Sequence, residues 1–146
     1  MIDLKPGNAA AHNNRGSALL DLRRPAEALD AFERALAIRP GDADTLGNRG
    51  NALQALKQYD EALAAHDRAL SIRPDHAAGW NNRGSVLQEM KRHAAALESF
   101  DRALALDPRQ EQAFGGAAMA ALNLCDFDRA DEIAAQMQAR IRDGAV

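Results

Sequence analysis

The chain has 146 residues, 47% of them hydrophobic and 27% charged, with a formal net charge of −3; this fits one soluble folded or repeat unit and excludes a disordered segment. The acidic balance excludes dense phosphate neutralisation, so neither nucleic acid nor a strongly anionic membrane surface is an expected partner. Cys125 is the single cysteine, which rules out an internal disulfide or a cysteine-based zinc site and points to a reduced, cytoplasmic setting, and no apolar run approaches a membrane span.

Proline recurs at Pro6, Pro40, Pro74 and Pro108, always 34 residues apart. This period divides the chain. Residues 1–8 read as the tail of a preceding unit, because Leu4 falls on Ile38 and Pro6 on Pro40 when the repeats are superposed; the array is then expected to continue upstream. Unit 9–42 predicts helices over 9–22 and 25–38, with Pro25 at a helix start, where its missing N–H is not needed. Unit 43–76 predicts helices over 43–56 and 59–72, carried by Leu53, Leu56, Tyr59, Ala62, Leu63 and Leu70 at helical spacing. Unit 77–110 predicts helices over 77–90 and 93–106. In the first three units the closing proline ends the second helix, since it cannot continue the hydrogen-bond ladder. The last segment, 111–146, predicts a divergent terminal helix pair over 111–124 and 127–141; it keeps Phe114, carries Gly116 and Ala118 where earlier units have Asn and Gly, and lacks the proline.

In the third unit the markers are Trp80, Gly84, Ala96, Phe100, Ala103 and Pro108. They resemble the tetratricopeptide repeat, with departures at Leu87 (often Tyr), at His12 and Leu46 (Trp), at His66 (Phe) and at Arg15, Arg49 and Arg83 (Leu). The resemblance implies an all-α fold, a right-handed superhelix of helix-turn-helix units whose first helices line a concave inner surface. It also implies a protein or peptide partner, with no catalytic residues and no cofactor in this chain. Small residues at Gly16, Ala28 and Ala35 and their counterparts let paired helices approach closely, and stacked units share one core.

Each first helix carries an oddity: the strings HNNRG, LGNRG and WNNRG place Asn inside a helix that it does not favour. At 100° per residue Asn14 lies about 200° from Gly16, so it points away from the partner helix. Asn14, Asn48 and Asn82 share this position. Asn13, Ser17, Asn51, Asn81, Ser85 and Glu89 flank them, and the whole stripe is small and polar. A side-chain amide offers a donor and an acceptor together, so each Asn can pair with both the N–H and C=O of one extended peptide residue regardless of its side chain. First helices about 10 Å apart would meet about every third ligand residue.

This row resembles the asparagine ladder in the superhelical arm of O-linked N-acetylglucosamine transferases, and the unit wording is similar to arms of bacterial proteins of that type. The resemblance implies a recruiting arm, any catalytic domain lying outside this chain. Gly116 breaks the ladder. Two other readings of the stripe stand beside it: a solvated face repeated by duplication, and one RNA base read per unit, which Asp21, Asp44 and Glu89 oppose electrostatically. A rival role is assembly, with the exposed ends of the array pairing between copies. Arg15, Arg49 and Arg83 are expected at a helix edge, packed by their stems. His12, His66, His76 and His93 lack ligand spacing, so no metal is expected; His12 and His66 read as packing positions, Cys125 as a small packed residue, and Trp80, Phe32, Phe100 and Phe114 as core.

Overall fold

A computed structural model describes residues 6–144, so the expectations for residues 1–5 lie outside it. The described residues form eight α-helices and no strand: α1 (Pro6–Asp21), α2 (Pro25–Ile38), α3 (Ala43–Ala55), α4 (Tyr59–Ile72), α5 (Ala77–Glu89), α6 (His93–Leu106), α7 (Glu111–Asn123) and α8 (Phe127–Arg142). All eight predicted helices are present. The one boundary that moves by more than a residue is the start of α1, at Pro6 rather than 9; residues 6–8 are continuous with that helix because proline's fixed φ suits a first helical turn.

The chain divides at Pro74 into two compact units. In the first, α1 packs on α2, α2 on α3, α3 on α4, and α1 touches α3. In the second, α5 packs on α6, α6 on α7, α7 on α8, and α5 touches α7.

Every turn inside a helix pair is built alike. Arg23, Lys57, Lys91 and Cys125 take left-handed backbone with φ of 60°, 61°, 59° and 56°. The next residue then donates its N–H to the carbonyl five residues back in the helix just ended: Arg24 to Leu19, Gln58 to Leu53, Arg92 to Leu87 and Asp126 to Ala121. This closure satisfies helix-end carbonyls that would otherwise lack partners. It is made without glycine, at about 1–2 kcal/mol of steric cost per turn. Between pairs the chain is extended at Arg39, Arg73 and Asp107, with φ of −128°, −126° and −137°, the conformation that a following proline imposes.

The helix pairs meet through glycine. A Cβ built on Gly16 would lie 2.5 Å from the Phe32 ring, one on Gly50 2.7 Å from the His66 ring, and one on Gly84 2.7 Å from the Phe100 ring. Phe32, His66 and Phe100 are each buried, as are Ala28, Ala62 and Ala96 beside them. Here the expectation that His66 and the Phe residues pack in the core holds, and the sequence spacing of Gly and aromatic is explained: the ring occupies the volume a side chain would need. In the fourth pair Ala118 and Ala134 stand at these two positions.

Helix α8 closes the second unit differently. Ala130 and Ile133 are buried, Arg129 bonds Asp101 of α6 at 2.5 Å and Glu132 at 3.1 Å, and Arg140 lies 5.2 Å from the Phe114 ring. Partial burial pushes the Arg129 guanidinium down, but its hydrogen bonds to Asp101 and Glu132 outweigh this and hold it above its ordinary value, so it stays charged. At the positions of Leu29, Phe32 and Leu36 in α2, α8 carries Asp131, Ala134 and Gln138.

Two substitutions separate packing from propensity. Gly16→Ala gains about 1 kcal/mol of helix propensity but forces a methyl into the Phe32 ring at about 1–3 kcal/mol or more, so its denaturation midpoint in urea is expected to fall. Gly47 has open space around its Cα, and Gly47→Ala is expected to gain about 0.5–1 kcal/mol. His66→Phe, which installs the ring that the other two sites already accept, is expected to raise the melting temperature, because an apolar ring is buried there more favourably than imidazole.

Candidate functional site

In the first unit, α1 and α3 are neighbouring first helices, and the expected polar stripe runs along both. Asn13 and Ser17 are half-buried and Asn14 is exposed; Asn48 and Asn51 are half-buried. The Ser17 hydroxyl donates to the Asn13 carbonyl at 3.2 Å, which removes its competing donor. The Asn48 Nδ2 donates to the Asn13 Oδ1 at 3.0 Å, across from α3 to α1. Adjacent helices are therefore linked amide to amide, and the partner of Asn48 is Asn13 rather than Asn14. A primary amide has two N–H groups and one oxygen. After the bond to Asn13, Asn48 retains one N–H and its oxygen among the described residues, the pair a peptide unit requires.

In the second unit, α5 carries Asn81, Asn82 and Ser85, all half-buried, and Glu89, exposed. The facing helix α7 has glycine, Gly115 and Gly116, at the positions that correspond to Asn81 and Asn82, and its one amide in this wall is Gln112. The Phe100 ring fills part of this space, sitting so close to both Gly84 and Gly116 that a Cβ on either would meet it. What remains is a cleft of about 410 Å³. Asn81, Ser85 and Gln88 line its α5 side, Gln112 and Met119 its α7 side, and Phe100 its floor. Met119 is 52% exposed and Leu122, one turn on, 49%.

The arginines beside the row are structural in the main. Arg49 reaches Glu33 of α2 at 3.6 Å. Arg83 donates to the Ser99 hydroxyl at 2.7 Å and stacks 5.8 Å from the Trp80 ring, whose other approach is made by Arg102 at 5.4 Å. Trp80 is thus a half-buried ring held between two guanidinium groups, where the sequence reading had it as core. Cys125 is a plain correction: it is exposed, because the left-handed turn position it occupies projects away from the helix pair. Among the described residues no cluster of His, Cys, Asp and Glu could hold a metal ion, and no helix is long and apolar enough to cross a membrane.

Sequence reasoning missed the Asn13–Asn48 bond and the apolar side of the second-unit cleft. The first has no sequence signal, since it depends on how far α1 and α3 stand apart. The second was visible: Met119 and Leu122 fall 34 residues after Ser85 and Gln88.

Family models described as tetratricopeptide repeat match residues 9–42 and 41–109. No curated protein matches the chain in sequence. Among solved structures, the chain is similar to the crystal structure of MamA, with 18% identity over 97% of this chain and 82% of that one, at a TM-score of 0.89. It is similar to the first such domain of Spaghetti (RPAP3), bound to the HSP90 peptide SRMEEVD, with 18% identity over 83% and 96% of the chains, TM-score 0.80. The second domain of human RPAP3, in complex with the HSP70 peptide SGPTIEEVD, shares 21% identity over 79% and 97%, TM-score 0.74. At these identities the likeness establishes the all-α helix-pair solenoid fold.

A double-mutant cycle on Asn13→Ala and Asn48→Ala is expected to return a coupling of about 0.5–1.5 kcal/mol in urea unfolding, the net worth of one partly buried hydrogen bond. Strict additivity of the two would mean that the cross-helix bond is absent in solution.

Proposed function

Because the chain belongs to the tetratricopeptide-repeat family, we propose that it is a non-catalytic module that holds an extended stretch of another protein along its first helices. In this reading Asn14, Asn48 and Asn82 grip the ligand main chain, while Asn13, Ser17, Asn51, Asn81, Ser85 and Glu89 shape its preference. The single observation that carries it is Asn48: it is half-buried and oriented by Asn13, yet it keeps an N–H and an oxygen for a peptide unit. Two similar structures were solved with short peptides bound, which supports the ligand class. The repeating units are 9–42, 43–76 and 77–110, with 111–146 as a terminal pair. On the wording of those units the module serves as a recruiting arm of a larger, cytoplasmic bacterial protein of the O-linked N-acetylglucosamine transferase type, and any chemistry belongs to a domain elsewhere in it.

Each Asn making two net hydrogen bonds contributes about 1–3 kcal/mol before ordering costs, so complexes in the micromolar to millimolar range follow. Titration of the 15N-labelled chain with an uncharged ten-residue peptide is expected to shift the amide resonances of the Asn rows, and Asn48→Ala to weaken binding by roughly 5- to 150-fold with helical circular dichroism intact. Undiminished affinity in the triple variant N14A/N48A/N82A would remove the amides from the site.

A second reading, self-association through the end of the array, is favoured by one observation. On α1, Ala11, Ala18 and Leu22 are exposed, whereas their counterparts on α3, Thr45 and Ala52, are buried and Leu56 is half-buried. Light scattering over a concentration series is expected to show a constant monomer mass under the groove reading and a rising mass under this one.

A further inference from the structure

We infer that the second-unit cleft is an anchor pocket for a neutral, aliphatic side chain of the bound segment. This deepens the peptide-binding reading above and rests on it. Along the first unit both walls present amides, and the two helices are tied across by Asn48 and Asn13. In the second unit the α5 wall keeps this chemistry in Asn81, Ser85 and Gln88, whereas the α7 wall has a single amide, Gln112, and is otherwise Gly115, Gly116 and Met119. Gly116, having no Cβ, lets the Phe100 ring press against α7 as the floor of the cleft, and Met119 offers a soft, adaptable apolar surface beside it.

The cleft is thus two-faced. Its polar side can hold the main chain of an extended segment, while its floor, Phe100, and its Met119 side accept what points inward from that segment. Alternate side chains of an extended chain point to opposite faces, so one residue in two can be lowered into the pocket while its neighbours stay in water. The volume of about 410 Å³ admits a Leu, Ile or Met side chain together with part of its backbone.

Charge narrows the occupant. None of the lining residues is charged, so a carboxylate or ammonium placed there would lose hydration with no counter-charge in return. Glu89 and Lys91 line an adjoining cleft that shares Ser85 and Gln88, and being opposite in sign they favour neither an acidic nor a basic anchor. The ligand class is therefore an extended segment with an aliphatic residue among uncharged ones. It differs from the acidic peptides SRMEEVD and SGPTIEEVD seen on the similar folds.

The test uses three probe peptides of ten residues built on Ser, Gly and Asn, identical except for a central Leu, Ala or Asp, and the heptapeptide SRMEEVD. Affinities come from NMR titration of the 15N-labelled chain. The Leu peptide is expected to bind at least tenfold tighter than the Asp peptide and several-fold tighter than the Ala peptide, with the largest shifts at Gly115, Gly116 and Met119, and SRMEEVD is expected to bind no better than the Asp peptide. Met119→Glu, a change at a half-exposed position to a good helix former, is expected to abolish the Leu preference, and Met119→Lys to turn it toward Asp. That gain cannot arise from misfolding. Equal affinities for the Leu and Asp peptides, or a ratio indifferent to both Met119 variants, overturn the anchor pocket. If that happens while N14A/N48A/N82A still weakens every peptide alike, the groove stands and only the anchor fails; if no peptide binds at all, both readings fall.

Discussion

A ring pressed onto a glycine holds each of the first three helix pairs. Gly16 with Phe32, Gly50 with His66 and Gly84 with Phe100 leave no room for a Cβ, so the two helix axes can come close enough for the small Ala residues beside them to be fully covered. Dispersion contacts at such short range fall off steeply with separation, which makes this approach distance a requirement of the core. It also sets where everything else points. With the glycine face turned inward, residues two positions earlier project to the far side of the first helix, and that is where the Asn rows emerge.

Period, helix bounds, the closing prolines and the paired Gly and aromatic positions were readable from the residues, because each depends on local backbone chemistry or on volume matched within one unit. What depends on distances between helices was not. Asn13 and Asn48 carry no mutual signal, being 35 residues apart, and their bond exists because α1 and α3 lie side by side. Cys125 shows a different limit. Its neighbours in the superposition are Arg23, Lys57 and Lys91, all residues that belong in water, and that comparison points to exposure more reliably than the burial tendency of cysteine taken alone. Trp80 matched a core position of the repeat, yet its ring is half-buried and lies within cation–π distance of two arginines, Arg83 and Arg102.

The polar stripe changes character along the chain. In the first unit it is amide on both walls; in the second, α7 answers Asn81 and Ser85 with Gly115 and Met119. The ring of Phe100 lies against Gly116, where the earlier units have an amide, and a cleft remains beside it. Helix α8 then carries Asp131 and Gln138 at the positions of Leu29 and Leu36 in α2. Arg129, fixed to Asp101 of α6, pins that helix in place.

The four left-handed turns have a consequence for how such a protein can change in length. Their closure counts residues: one more or one fewer between Leu53 and Gln58 would rotate the second helix by about 100° and lift His66 off Gly50. Single insertions there are ruinous, whereas adding or removing a whole block of 34 leaves every turn and every ring contact unchanged. Size is quantised, and a gene encoding this fold is free to lengthen by copying itself in whole steps but not to drift by fractions of one.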